Sequence, residues 1–211
     1  MSDDYWIIEG AKSNRSAHLR VAGADAPSAW LDQSTGRAPL GVIDDSGHGA
    51  DIFVQDFGYL PFPVISPHFT ERLRAIPLIN SIFQVIFSDV IPADFELAIW
   101  RPLLRADPWD YSQAATSDWT FSSRGMLALA KAPSLSPTWL AELNERDRQV
   151  LLTVSEHTPL GGKIVMHARI AEQITAAIAE DELEGMKLYP LTDWQTNMVF
   201  EDEDLTLIFD N

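Results

Sequence analysis

The segment from Val42 to Phe53, VIDDSGHGADIF, sets three carboxylates and an imidazole around two glycines. Asp and His side chains are the usual ligands of hard and intermediate metal ions, and glycine lets a loop close tightly around one. Aligned as a calcium loop, the segment puts Asp44, Ser46 and His48 at the first, third and fifth positions and Gly49 at the sixth. The ninth position is then Ile52, and the twelfth is Gln55 where the ion requires a bidentate Glu, so the calcium reading fails. A transition-metal site could use His48 with Asp44, Asp45 or Asp51, which is the enzyme alternative for this chain. It lacks a second nearby histidine, and no His-Glu-x-x-His pair exists. The plainer reading is a glycine-bent acidic loop offered to solvent or to a partner.

Other catalytic patterns fail on spacing. There is no Gly-x-Ser-x-Gly elbow, and the five histidines (His18, His48, His68, His157, His167) are scattered without companion motifs. His68 and His167 read as local polar residues at helix starts. LGGK at Leu160 to Lys163 lacks the first glycine and the Ser/Thr of a phosphate loop, and reads as a turn before a strand. Carboxylate pairs such as Glu180 with Glu184 are common in so acidic a chain and say nothing of glycosidase chemistry. With no cysteine there is no disulfide framework, thiolate metal site or catalytic thiol. These residues predict no enzyme, no resident metal and no cofactor.

Charge is the stronger signal. Thirty-one acidic residues against fifteen basic ones give a net charge of -16, and Glu172 to Asn211 holds eleven acids against one base, Lys187. Such a chain lacks the clustered Lys and Arg that nucleic acid or an anionic membrane surface requires. The most apolar stretch, Ile76 to Ile91, is broken by Pro77, Asn80, Ser81, Gln84 and Asp89. It falls short of the ~20 apolar residues of a membrane span. The opening MSDDYWIIEG has no basic n-region, so no secretory signal is expected. The acid either keeps a soluble protein monodisperse or meets a basic protein partner.

Two acidic clusters are the candidate contact surfaces: Asp44, Asp45, Asp51 and Asp56 in the central loop, and Glu180, Asp181, Glu182 and Glu184 at the end of the last long helix. Trp109 and Trp194, in loop-like stretches near acids, are candidate aromatic anchors, because tryptophan is enriched at binding hot spots. Packing inside the protein is the competing reading for both.

The elements that must position these residues follow from periodicity. YWII (Tyr5 to Ile8) and HLRV (His18 to Val21) read as strands of an opening hairpin. At Ser66-Pro67 a cap and a first-position proline start a helix with Phe69, Leu73 and Ile76 on one face. Ile79, Ile82, Phe83, Ile86 and Val90 continue a helical spacing, with a strand as the alternative because Val85, Ile86 and Phe87 favour it. FELAIW and QVLLTV read as strands, Ser136-Pro137 starts a further helix, and Lys163 to Leu191 reads strand, helix, strand. DLTLIF would be a final strand. At 211 residues the whole predicts one α+β domain, a mostly antiparallel sheet with several helices packed on it, and an acidic extension from about residue 193.

In this order, YWII, DFGYLPFPVISPHFTERLRAI, DPWDYSQAATSDWTF and GKIVMHARIAEQITAAIAEDELEGMKLYPL resemble an immunity-protein family of bacterial polymorphic toxin systems. Ile65-Ser66 matches the family's Val-Ser-then-helix element, and Leu183 to Leu191 its closing helix, Gly, extended apolar-Pro element. Met166-His167 stands where a second Val-Ser pair is expected. The resemblance implies a non-enzymatic cytoplasmic inhibitor of a cognate toxin domain and supplies no catalytic residues. The alternatives are the metal-dependent enzyme and an acidic scaffold protein.

Overall fold

The computed structural model describes residues 4–10, 19–21, 41–43, 52–53, 63–86, 97–112, 119–121, 127–155, 160–181 and 186–196. The chain begins with strands β1 (Tyr5–Gly10), β2 (Leu19–Val21), β3 (Gly41–Ile43), β4 (Ile52–Phe53) and β5 (Val64–Ile65). Helix α1 (Pro67–Ala75) and strands β6 (Ser81–Ile86), β7 (Leu97–Pro102), β8 (Leu104–Ala106), β9 (Thr120–Phe121) and β10 (Leu127–Leu129) follow. Then come helix α2 (Pro137–Glu142), a 3-10 turn at Arg146–Arg148, strands β11 (Val150–Thr153) and β12 (Ile164–His167), helix α3 (Ala168–Asp181) and strand β13 (Met186–Pro190). The architecture is α+β with mostly antiparallel sheets, and its residues gather into two compact units.

The first unit takes Met1–Glu9, Leu104–Ala171 and Leu188–Asn211. Its sheet has the order β13-β1-β12-β11-β8. The β1–β12 and β11–β12 pairs are antiparallel and β11–β8 is parallel. All four residues of β11 are buried, as its unbroken apolar run requires of a strand covered on both faces. β1 is not half of a hairpin with β2. Ile7 and Ile8 are both buried, so β1 needs cover on both faces, and it takes an interior place in the sheet beside β12. β2 pairs instead with β3. The core joins Tyr5, Ile7, Leu151 and Val165 from the sheet to Leu127, Leu135, Leu140, Trp109 and Trp194.

The second unit takes Gly10–Leu103 and Glu172–Lys187, with a sheet ordered β4-β5-β7-β6. Ser66 caps α1 by accepting from the Phe69 amide at 3.0 Å, Pro67 opens the helix, and Phe69 and Leu73 are fully buried. The Phe69 ring meets Trp100 of β7 edge-on at 6.2 Å, while Phe83 of β6 stacks against the same indole. Residues 81–86 are strand rather than helix. The six residues pair one for one with β7, from Ser81 opposite Pro102 to Ile86 opposite Leu97, and this ladder outweighs a helical spacing that Pro92 would soon stop.

Candidate functional site

In the first unit, a buried aromatic frame fixes an exposed acidic segment. Trp109 and Trp194 stack nearly parallel, 6.5 Å apart and 8° from coplanar, and their exposures are only 3% and 1%. Each indole N–H is used. Trp109 Nε1 donates to the Leu160 carbonyl at 3.1 Å, and Trp194 Nε1 donates to Glu9 Oε1 at 3.0 Å. The same Glu9 oxygen receives the Lys163 ammonium at 2.8 Å, and that ammonium lies 5.6 Å from the centre of the Trp194 ring. Thr153, at the end of β11, holds the residues that lead into β12. Its hydroxyl donates to the Leu160 carbonyl at 2.7 Å and accepts from the Lys163 amide at 2.9 Å. Gly162, at φ +70°, supplies the left-handed residue that the lead-in to β12 needs. Glu9 also adds to burial in holding the Tyr189 hydroxyl above its ordinary pKa, burial being the larger cause.

From this frame the chain presents residues 107–112. The Asp110 amide donates to the Ser134 carbonyl at 2.8 Å and the Ser136 amide to the Pro108 carbonyl at 2.7 Å, so the backbone around Trp109 is held on both sides. What faces water is polar and aromatic. The Tyr111 hydroxyl lies 3.0 and 2.8 Å from the two oxygens of Asp107 and 2.7 Å from the Ser155 hydroxyl. Asp110 Oδ1 accepts from both the amide and the hydroxyl of Ser112. The Tyr111 ring stands edge-on to the buried Trp119 at 6.0 Å. Val154 continues the patch: its amide bonds the Ala106 carbonyl, and its side chain is 45% exposed. The arrangement has the parts of a recognition surface: fixed carboxylates, a half-exposed aromatic ring and a small apolar area.

No family model and no curated protein matches this chain. The arrangement of its own residues therefore carries the functional argument. Trp109 and Trp194 are not surface anchors. Both are buried, because the sheet and the turn at residues 160–163 offer each indole an apolar face and an acceptor. Glu180 and Asp181 form the last two positions of α3. Asp44, Asp45, Asp51, Asp56, Glu182 and Glu184 lie outside the described residues, as do His48 and DLTLIF. Among the described residues, no three His, Asp or Glu side chains converge to hold a metal. No helix there is long and apolar enough to cross a membrane.

Periodicity did not single out Glu9, Lys163, Asp107 or Tyr111. Asp107 and Tyr111 stood in the quoted segment DPWDYSQAATSDWTF, where Asp and Tyr four residues apart on a proline turn were a usable signal. Glu9 and Lys163 had none, since only the β1–β12 pairing brings them together.

Proposed function

We propose that the protein is an immunity-type inhibitor that binds one basic toxin domain and covers its active site. The observation that carries this reading is the exposed Asp107, Asp110 and Tyr111 surface, held rigidly on a chain whose net charge is -16. Carboxylates on such a surface steer a cationic partner into contact and raise the association rate, while packed aromatic and apolar groups slow dissociation. A toxin that handles an anionic substrate has a cationic groove, and an acidic protein seated there competes by charge and by bulk. No chemistry is asked of the inhibitor. In this proposal the clusters at Asp44, Asp45, Asp51 and Asp56 and at Glu180, Asp181, Glu182 and Glu184 add to the net negative charge that attracts such a partner.

The test is co-expression with basic domains encoded beside the protein's own gene. The expected result is relief of growth arrest, a one-to-one complex on gel filtration, and association that slows on the order of tenfold between low and moderate salt. Failure to protect against any neighbouring product overturns the reading.

A further inference from the structure

We infer that β6 is the contact strand of a homodimer, in which two copies of this chain join β6 to β6, antiparallel, about a two-fold axis. The inference does not depend on the inhibitor reading. It starts from how the sheets end. An outer strand shows a row of backbone donors and acceptors, and proteins guard such rows with charge, proline or shortness. Three of the four outer strands of the two larger sheets are guarded in these ways. β13 carries the exposed Lys187 and ends on Pro190, β8 is three residues long with the exposed Arg105 at its centre, and β4 has only two residues. β6 is six residues long, SIFQVI, with no charge and no proline. Among the described residues it has β7 on one side and no strand on the other.

Exposure marks the same place independently. Among the described residues of the second unit, the exposed large apolar side chains are Ile82 at 45% and Leu103 at 50%. Ile82 lies in β6, and the Leu103 amide, just past β7, donates to the Asn80 carbonyl just before β6 at 2.7 Å. A side chain on an outer strand has a neighbouring strand on one side only, and a second β6 supplies the other. Charge selects a second copy as the occupant. Between Arg74 and Asp89 the chain has no charged residue, although its net charge is -16. A basic partner gains nothing from such a strip, whereas two copies of an acidic chain can meet along it without opposing like charges. The cations beside it belong to the sheet's own side: Arg74 of α1 lies 5.9 Å from the centre of the Phe83 ring, and Arg101 of β7 is opposite Ile82. Antiparallel pairing of one strand with itself is self-complementary and closes at two copies.

The experiment is sedimentation equilibrium on the full chain from ~10 µM to ~1 mM, because one strand pair makes a small interface of the weak, transient kind. The mass should rise from 23.5 kDa to twice that value and stop there. Ile82→Lys places a cation on the outer row and should raise the dimer Kd by ~10-fold or more. Ile82→Thr keeps the β-branched shape, loses apolar surface and should raise it several-fold. Val154→Lys, at an exposed apolar residue of the other unit, should leave it unchanged. The amides of residues 82–86 should exchange more slowly at the top of that concentration range than at the bottom. A mass that stays at 23.5 kDa, one that climbs past two copies, or a dimer that both Ile82 variants leave intact overturns the proposal.

Salt separates this dimer from the inhibitor's complex. Screening the repulsion between two copies of charge -16 should tighten the dimer as salt rises, whereas a complex drawn together by opposite charges should loosen. If the native protein protects cells yet sediments as a monomer throughout, the dimer is wrong and the inhibitor stands. If it protects against nothing but forms a dimer that Ile82→Lys dissolves, the dimer stands and the inhibitor reading falls.

Discussion

Replacing Glu9 by Ala should be among the more damaging single changes in the first unit that leave its apolar core intact. The carboxylate accepts from two donors on one oxygen, Lys163 Nζ at 2.8 Å and Trp194 Nε1 at 3.0 Å. The Lys163 and Glu9 side chains are 23% and 11% exposed, so the pair lies between two measured limits. A fully buried pair costs about 3–5 kcal/mol when one partner is removed, and an exposed pair about 0–1 kcal/mol. About 2 kcal/mol is therefore expected from the stranded ammonium. Loss of the charged acceptor from a buried indole adds about 1 kcal/mol, giving ~3 kcal/mol in all.

Glu9→Gln keeps one acceptor oxygen and should cost ~1 kcal/mol. Lys163→Met keeps the stem over Trp194 and should cost about the same. Urea unfolding followed by tryptophan fluorescence measures each variant, and the Glu9→Gln/Lys163→Met cycle should return a coupling of ~1 kcal/mol. Hydrogen exchange at residues 109–112 should rise in Glu9→Ala, because the Trp109–Trp194 stack loses its anchor. A Glu9→Ala cost below ~0.5 kcal/mol with no coupling would mean that water screens the pair, and would refute the frame described here.

Tyr5 gives a prediction with a defined sign. Its hydroxyl is buried with no hydrogen-bond partner, and burial raises its pKa, with Arg146 opposing and Asp4 and Asp147 adding to the rise. Stability from the neutral phenol is fully present below its unfolded value of about 10 and is lost as pH rises through the higher folded value. Tyr189 adds in the same direction. Tyr5→Phe should remove the Tyr5 share of that alkaline loss and, by deleting an unmet buried hydroxyl, raise stability near neutral pH by ~1 kcal/mol in a urea titration. Ser66→Ala should cost ~1 kcal/mol by removing the α1 cap, and Ser66→Asp should recover most of it, both read by thermal melts. Treatment with EDTA should leave Tm unchanged under the inhibitor reading, whereas a fall reversed by a transition metal would return His48 and its aspartates to a metal site.

The legible parts of this chain were those written locally. Ser66-Pro67 and Ser136-Pro137 start helices because a hydroxyl and a ring-locked φ act within four residues, and both helices are where the sequence puts them. QVLLTV carries its own burial, and β11 is buried throughout. Residues 81–86 were ambiguous because the choice lay with β7, which supplies the ladder. The opening hairpin failed for a related reason: nothing within YWII says that its neighbour in the sheet is β12. The tryptophans were open to two readings, surface anchor or internal packing. Trp109 and Trp194 look exposed among Asp, Pro and Thr, yet their environment is made by Leu160, Lys163 and Glu9 from distant segments. The exposed pairing of Tyr111 with Asp107, two residues along, is local chemistry that was visible in the sequence.

The place of β1 sets the order in which the protein can assemble during synthesis. The sheet β4-β5-β7-β6 is complete once the ribosome has delivered Pro102, and its pairings join strands close together along the chain. β1 emerges before any of these strands, but the register that buries Ile7 and Ile8 runs from Ile164 to His167, far downstream. A β-rich apolar segment must therefore stay unpaired while most of the chain is made, which is the situation in which nascent proteins aggregate or recruit chaperones. The flanking Asp4 and Glu9 put charge at both ends of that waiting strand, and like charge on many nascent chains opposes their edge-to-edge pairing. Part of this protein's acidity thus has a use before any partner is met.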